Sequence, residues 1–327
     1  MNRRKTLTLA AALLAASIAP QGVAAQTADA WPSRPVSLVV PYPPGGTSDV
    51  IGRYLAERLR EDLGTTVVVE NKAGAATAIG AAHVARAPKD GYTLLLSAGT
   101  TFTTNPHMNE KLAYRLEDFE PVSLVGTVPF AFVVKKDLAV RDVREFAAYA
   151  KSNPGKVNNA TNGQGSMVHL LGELVGQGLG VQLNQVHYKG AAPATADMIG
   201  GFVDSNVEAL TSAVPNVSTG RYRALAVLSA ERLPLLPDVP TFKELGYPSI
   251  VGETWYAVFA PAGTPAPVVE RLNASLRKIV ASQGYAEFMR KHGNEARSST
   301  PAELMALSRE QHRSWGELIS KLKLKPQ

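Results

Sequence analysis

The sequence predicts an α/β fold: a mainly parallel sheet with helices on both faces. Strand-like and helix-like segments alternate from residue 36 onward, the rhythm that parallel strands joined by crossover helices impose. Glycines punctuate the junctions, at Gly45, Gly46, Gly74, Gly91 and Gly99. A strand followed by a Gly-rich turn and a helix occurs twice, around residues 45–49 and again at 163–166.

Each element has its own local reason. Val36 to Val40 is an apolar strand that runs into Pro41-Tyr42-Pro43-Pro44-Gly45-Gly46, and Val50 to Leu59 is an amphipathic helix. Thr65 to Glu70 carries β-branched residues in a row and reads as the second strand. Ala78 to Ala87 predicts a helix, and Thr93 to Ser97 the third strand. Phe130 to Val134 is a continuous apolar strand after a proline, followed by a helix at Val143 to Ser152. Thr161 to Ser166 is the second glycine-rich turn, opening a helix at Met167 to Gly176. Val186 to Lys189, Val203 to Leu210 and Ala224 to Ser229 read as strands, with a helix at Ala192 to Gly200. Thr254 to Ala260 is an apolar strand that ends in Pro261-Ala262-Gly263-Thr264-Pro265. Pro267 to Ser282 and Pro301 to Leu322 are amphipathic helices, whose polar faces carry solvated charges such as Glu270, Arg271 and Arg309.

Composition narrows the function. Arg3, Arg4 and Lys5, an apolar run from Leu7 to Ala19 and the small residues Val23-Ala24-Ala25 form an export signal, residues 1–25, with cleavage before Gln26. The apolar run is too short and too Ala-rich to favour a spanning helix, a retained anchor being the alternative. The chain has no cysteine, so no lipid-attachment site follows the signal and stability rests on packing. Cleavage would remove three basic residues and lower the net charge from +6 to +3. No basic run is interleaved with aromatics, which argues against nucleic acid. About 300 remaining residues suggest two domains.

Beyond these local readings, Pro43-Pro44-Gly45-Gly46-Thr47-Ser48-Asp49 with Arg53 resembles the start of the TctC or Bug family. Its members are extracytoplasmic solute receptors of tripartite tricarboxylate transporters. The resemblance continues in order through Val69-Glu70-Asn71, Pro88-Lys89-Asp90-Gly91-Tyr92, Asn105-Pro106 and Asp118-Phe119-Glu120-Pro121. It runs on through Gly165-Ser166 with His169, Tyr188-Lys189-Gly190, Asp204 and Pro237-Asp238-Val239-Pro240-Thr241. It departs at Gly52, where Ala is common, and at Lys72-Ala73-Gly74-Ala75-Ala76, where Arg-Pro-Gly-Ala-Gly is more usual. The resemblance implies a two-domain fold of the periplasmic-binding-protein kind (type II-like). Two crossover strands, near Val125 to Val134 and Gly252 to Phe259, would join the domains, which close on a ligand in the cleft between them. Domain I would comprise residues 26–126 and 252–327, and domain II residues 127–251. The implied role is capture of a small carboxylate by turn amides, hydroxyls and waters, with delivery to the permease subunits of a tripartite transporter. Service to a membrane sensor kinase is the alternative. The expected state is a monomer.

The residues themselves favour an anion. A strand–turn–helix unit aims unpaired N–H groups and the positive end of the helix at one point. Tyr42, Gly45, Gly46, Thr47 and Ser48 form the first candidate jaw. Asp49 is either a helix cap or an acceptor for a ligand ammonium. Thr161, Gly165 and Ser166 form the second jaw, with His169 one turn into its helix as a ligand contact or a packed residue. Thr100, Thr101 and Asn105 follow the third strand, where open parallel sheets place ligands. Lys189, Gly190 and Ala191 are candidates for the distal end of a ligand, Lys189 being either a partner for a carboxylate or solvated. Asp204 is a candidate holder of a bridging water or a buttress of the hinge.

An enzyme is disfavoured. Ser166 and His169 lie three apart at one helix start, without a Gly-x-Ser-x-Gly elbow or an orienting acid, so a periplasmic hydrolase is the weaker reading. The six histidines form no close ligand pair and no Cys is present, so no metal is expected. Neither a Walker-type Gly-Lys-Ser/Thr nor a Gly-x-Gly-x-x-Gly opens a helix, so no nucleotide cofactor is expected.

Overall fold

A computed structural model of the chain describes residues 31–188 and 190–324. The expected export signal, residues 1–25, and the candidate Lys189 lie outside the described residues.

Three strands form the first group: β1 (Val36–Val40), β2 (Val67–Asn71) and β3 (Thr93–Ala98). β1 lies parallel to both others, with Leu38 opposite Val69 on one side and Leu94 on the other. Its Leu38, Val39 and Val40 are fully buried, as expected of a strand covered on both faces. Helix α1 (Thr47–Leu63) follows β1 and buries Ile51, Leu55 and Leu59. It stops at Gly64, which takes the left-handed conformation (φ 69) that ends many helices. Helix α2 (Ala78–Ala85) returns to β3.

The next strand organises the molecule. β4 (Phe119–Lys135) is 17 residues long, whereas the sequence reading places a strand at Phe130 to Val134 and a crossover only from Val125 to Val134. Pro121 and Pro129 interrupt the apolar run and hide its continuity. Each loses a ladder donor, and each sits where the ladder is already irregular. A bulge follows Pro121, and Pro129 is the last residue paired with β9 (Glu253–Pro261). From Phe130 onward β4 pairs instead with β7 (Ser205–Ala209), and from Ala131 also with β8 (Tyr222–Val227). β5 (Asn158–Thr161) and β6 (Asn184–His187) extend this second group in parallel. The strand order is β2-β1-β3-β9-β4-β7-β5-β6, with β8 paired to β4 off this path.

Helices cover both groups. Before β4 come two single turns, α3 (Thr100–Thr103) and α4 (Asn105–Met108). The second group carries α5 (Val143–Ser152), α6 (Met167–Leu179), α7 (Ala191–Ile199) and α8 (Leu210–Ser218). After β9 come α9 (Ala266–Val280), α10 (Gln283–Lys291) and α11 (Pro301–Lys321). α3 and α4 fall after the third strand, where the sequence pattern places no helix. α8 escapes the pattern because it holds Pro215, and α10 because it is short and buries little beyond Tyr285 and Met289. α11 opens with a capping box in which the Thr300 hydroxyl accepts from Glu303 N and the Glu303 carboxylate accepts from Thr300 N. It packs Leu304 into the core of the first group and Trp315 and Ile319 into that of the second.

The end of β3 is braced by Trp255 of β9. Gly99 N donates to Trp255 O at 2.8 Å, and the indole Nε1 donates to Gln311 of α11 at 2.8 Å. A Cβ on Gly99 would collide with that pinned indole ring. Gly99→Ala is therefore expected to cost about 1–3 kcal/mol of stability as overpacking, measured by urea unfolding.

Candidate functional site

The turn after β1 is held by one carboxylate. Gly46 caps α1 with no side-chain bond, and Asp49 is the third residue of the helix. Asp49 Oδ2 accepts from Gly45 N at 2.9 Å and from Arg53 Nε at 3.0 Å. Its Oδ1 accepts from Arg53 Nη2 and Asn71 Nδ2, both at 3.0 Å. Asn71 also donates to Tyr42 O at 3.2 Å, closing the loop on itself. The Arg53 hydrogen bonds, with those of Gly45 and Asn71, outweigh burial and pull the Asp49 carboxyl down to about 2. Of the two readings of Asp49, neither an N-cap nor a cavity-facing acceptor describes this geometry. It reaches back to the residue before the cap and fixes the turn.

The loop after β2 carries strain. Ala75 (φ 46), Ala76 (φ 49) and Thr77 (φ 79) are three successive non-glycine residues in the left-handed region. Cβ crowding makes this costly for L-residues. Ala76 stands where glycine is more usual in the family pattern. Asn105 holds the arch by donating to Ala76 O and, at 3.1 Å, to Thr77 Oγ1. Thr77, Thr101 and Ser97 then form a buried hydroxyl chain at 2.9 and 2.6 Å.

The turn after β5 faces these loops. Ser166 caps α6, its Oγ accepting from His169 N at 3.2 Å. His169 is buried, and its Nδ1 accepts from Gly165 N at 3.0 Å, which requires a neutral ring. Glu173 Oε1 lies 3.7 Å from His169 Nε2, and the His187 ring packs edge-on at 4.8 Å. Burial, with His187 beside it, lowers the His169 pKa to about 4.

Between the two groups lies a cavity of about 630 Å³. Of the predicted residues, Tyr42, Thr47, Thr100, Asn105, Gly165 and Ser166 line it. Gly45 and Gly46 lie on the exposed side of the first turn, and Ser48 is buried next to the Tyr256 hydroxyl. Thr101 is used in the hydroxyl chain, and Thr161 Oγ1 bonds His187 Nδ1 at 2.7 Å. Asp49 and His169 act from behind the two turns. Gly190 and Ala191 open α7 without bordering the cavity. Asp204 accepts from Asn158 N at 2.9 Å and pairs with Lys135 at 2.6 Å, tying β5 to the end of β4.

The lining also includes residues that the sequence reading did not single out. Ala75, Ala76 and Thr77 come from the strained arch, and Thr104, Met108 and Asn109 from the segment of α3 and α4. Val128 and Phe130 of β4 and Thr254 and Tyr256 of β9 form the floor. Thr254 and Tyr256 were detectable as polar groups spaced two apart in an apolar strand. The Tyr42 hydroxyl and the buried Thr254 hydroxyl have no hydrogen-bond partner among the described residues. α1 and α6 both begin at the cavity wall, with Thr47 on one side and Ser166, Met167 and Val168 on the other. None of the described lining residues is Asp, Glu, Lys, Arg or His. No group of His, Cys, Asp or Glu among the described residues could hold a metal ion, and no helix among them is long and apolar enough to cross a membrane.

This arrangement defines a solute-binding protein, with strand-end loops of two α/β groups facing one cavity. The model of the tripartite tricarboxylate transporter family receptor matches residues 51–324, and the chain belongs to that family, TctC or Bug, of periplasmic solute-binding proteins. It is similar to the periplasmic binding protein BugD, with 39% identity and a TM-score of 0.77 over 91% of this chain and 100% of the other. A protein from R. palustris, Rpa4515, solved with adipate, is 32% identical with a TM-score of 0.81 over 91% and 100% of the two chains. MatC from Rhodopseudomonas palustris, solved with bound malate, is 31% identical with a TM-score of 0.76 over 88% and 100%. The fold is the two-domain periplasmic-binding-protein fold.

Two expectations follow from the strained arch and the buried histidine. Ala76→Gly removes the left-handed penalty and should raise stability by about 1 kcal/mol in urea unfolding. His169 has a folded pKa below its ordinary value, so the unfolded chain takes up its proton first as pH falls. Its contribution is whole above pH 6.5 and is lost on descent from 6.5 to about 4. His187, also lowered by burial, adds to this loss, and Glu173, raised by burial, opposes it. Comparing unfolding of the wild type with His169→Gln across that range isolates the term, and the variant should show the shallower loss.

Proposed function

We propose that this chain captures a small carboxylate in the cavity and delivers it to the membrane subunits of a tripartite tricarboxylate-type transporter, without chemical turnover. The observation that carries the reading is the convergence of two helix N-termini on a cavity that also holds the unpartnered, buried Thr254 hydroxyl. Backbone N–H groups and hydroxyls satisfy a carboxylate without a charged partner, as oriented amides do at many anion sites.

The protein acts as a monomer exported by the signal in residues 1–25. Domain I comprises residues 26–126 and 252–327, and domain II residues 127–251. The change of β4 partners after Pro129 supports a boundary close to these limits. A ligand that touches both turns favours the closed arrangement through its extra contacts there.

Thermal shift of refolded protein against mono-, di- and tricarboxylates, aromatic acids and amino acids tests the reading. At least one acid should stabilise, by about 2.7 kcal/mol at 100 times its dissociation constant. A broad panel without any stabilising acid contradicts it.

A further inference from the structure

Resting on the carboxylate reading of this cavity, we propose a narrower ligand class: an organic acid whose body is apolar, a ring or a hydrocarbon chain, and which bears no ammonium group. Three observations carry this.

The first is the character of one wall. Met108, Val128, Phe130, Met167, Val168 and Ala209 line the cavity together with hydroxyls and amides, among them Tyr42, Thr47, Thr100, Asn105, Ser166 and Thr254. Met108, Phe130, Met167 and Val168 are members of one continuous core cluster that also contains Phe132, Leu170 and Leu171. The cavity therefore opens onto the face of a hydrophobic core. A ligand hydroxyl or second carboxylate pressed on those side chains, rather than on the α6 N–H groups or Thr254, loses water and gains no donor from them. Methylene or ring carbon gains from the same contact.

The second is the absence of charge. Among the described residues, no carboxylate lines the cavity to receive an ammonium. The carboxylate nearest in sequence to the first turn, Asp49, is saturated by Gly45, Arg53 and Asn71. Glu173, behind the second turn, faces the His169 ring rather than the cavity.

The third is the make-up of the apolar wall. Two of its six side chains are methionines, one from α4 and one from the first turn of α6. Unbranched thioethers adapt to the shape of what they meet, so rings and chains are both accommodated.

Calorimetric titration of refolded protein with benzoate, hexanoate, malate and glutamate tests the inference. Benzoate or hexanoate should bind at least about tenfold more tightly than malate and than glutamate. A smaller preference, or the reverse, overturns the apolar-body inference while leaving the carboxylate reading intact. Failure of all four to bind overturns the apolar-body inference, whereas the carboxylate reading falls only if the whole panel above fails. Met167→Gln keeps length and adds polarity. It should weaken the preferred apolar acid about tenfold in protein that still unfolds cooperatively, and Met167→Leu should retain the affinity. Unchanged affinity in Met167→Gln overturns the inference.

Discussion

Everything in this molecule depends on one strand belonging to two neighbourhoods. β4 begins as the partner of β9 and ends between β7 and β8, and the exchange takes place around Pro129 and Phe130. Proline suits that position because it cannot donate to a ladder, so a change of partners there wastes no hydrogen bond. The strand-end loops of both groups then face the same space, with Val128 and Phe130 on its floor. The cavity is a consequence of how the sheet passes from one group to the other.

The charged groups near the cavity shape it without entering it. The Asp49 carboxylate ties Gly45, Arg53 and Asn71 together, and Asn71 extends the hold to Tyr42. His169 performs a similar task in the second turn, its neutral ring accepting from Gly165. Asn105 holds the arch of Ala75 to Thr77 from α4. What remains to meet a solute is backbone N–H, hydroxyl, amide and hydrocarbon. In the low-dielectric setting of a closed cleft such oriented dipoles stabilise an anion strongly, and they avoid the desolvation cost of burying a cation beside it.

Much of the fold was legible in the sequence because its signals are local. Val36 to Val40 and Thr93 to Ser97 are short apolar runs bounded by turns, and α6 carries its own cap at Ser166 and its own stop at Gly180. The unread parts need tertiary context. β4 is masked by two prolines whose tolerance depends on its neighbours, and α8 contains Pro215. The site divides in the same way. Thr47, Gly165 and Ser166 belong to motifs and line the cavity, whereas the roles of Met108, Thr254 and Tyr256 depend on which strand lies beside which. Conversely, Asp49 and His169 belong to the motifs yet do not line the cavity, because they hold the backbone of the two turns through Gly45 and Gly165.

If uncharged donors in this cavity select an anion, the charge of a solute should matter more than its shape. The most direct measurement is a calorimetric comparison of the tightest-binding acid with its carboxamide, which has nearly the same shape and no charge. The acid should bind and the carboxamide should be weaker by at least about tenfold, since a charge-assisted hydrogen bond is roughly twice as strong as a neutral one. A carboxamide that binds as tightly as the acid would contradict selection by charge.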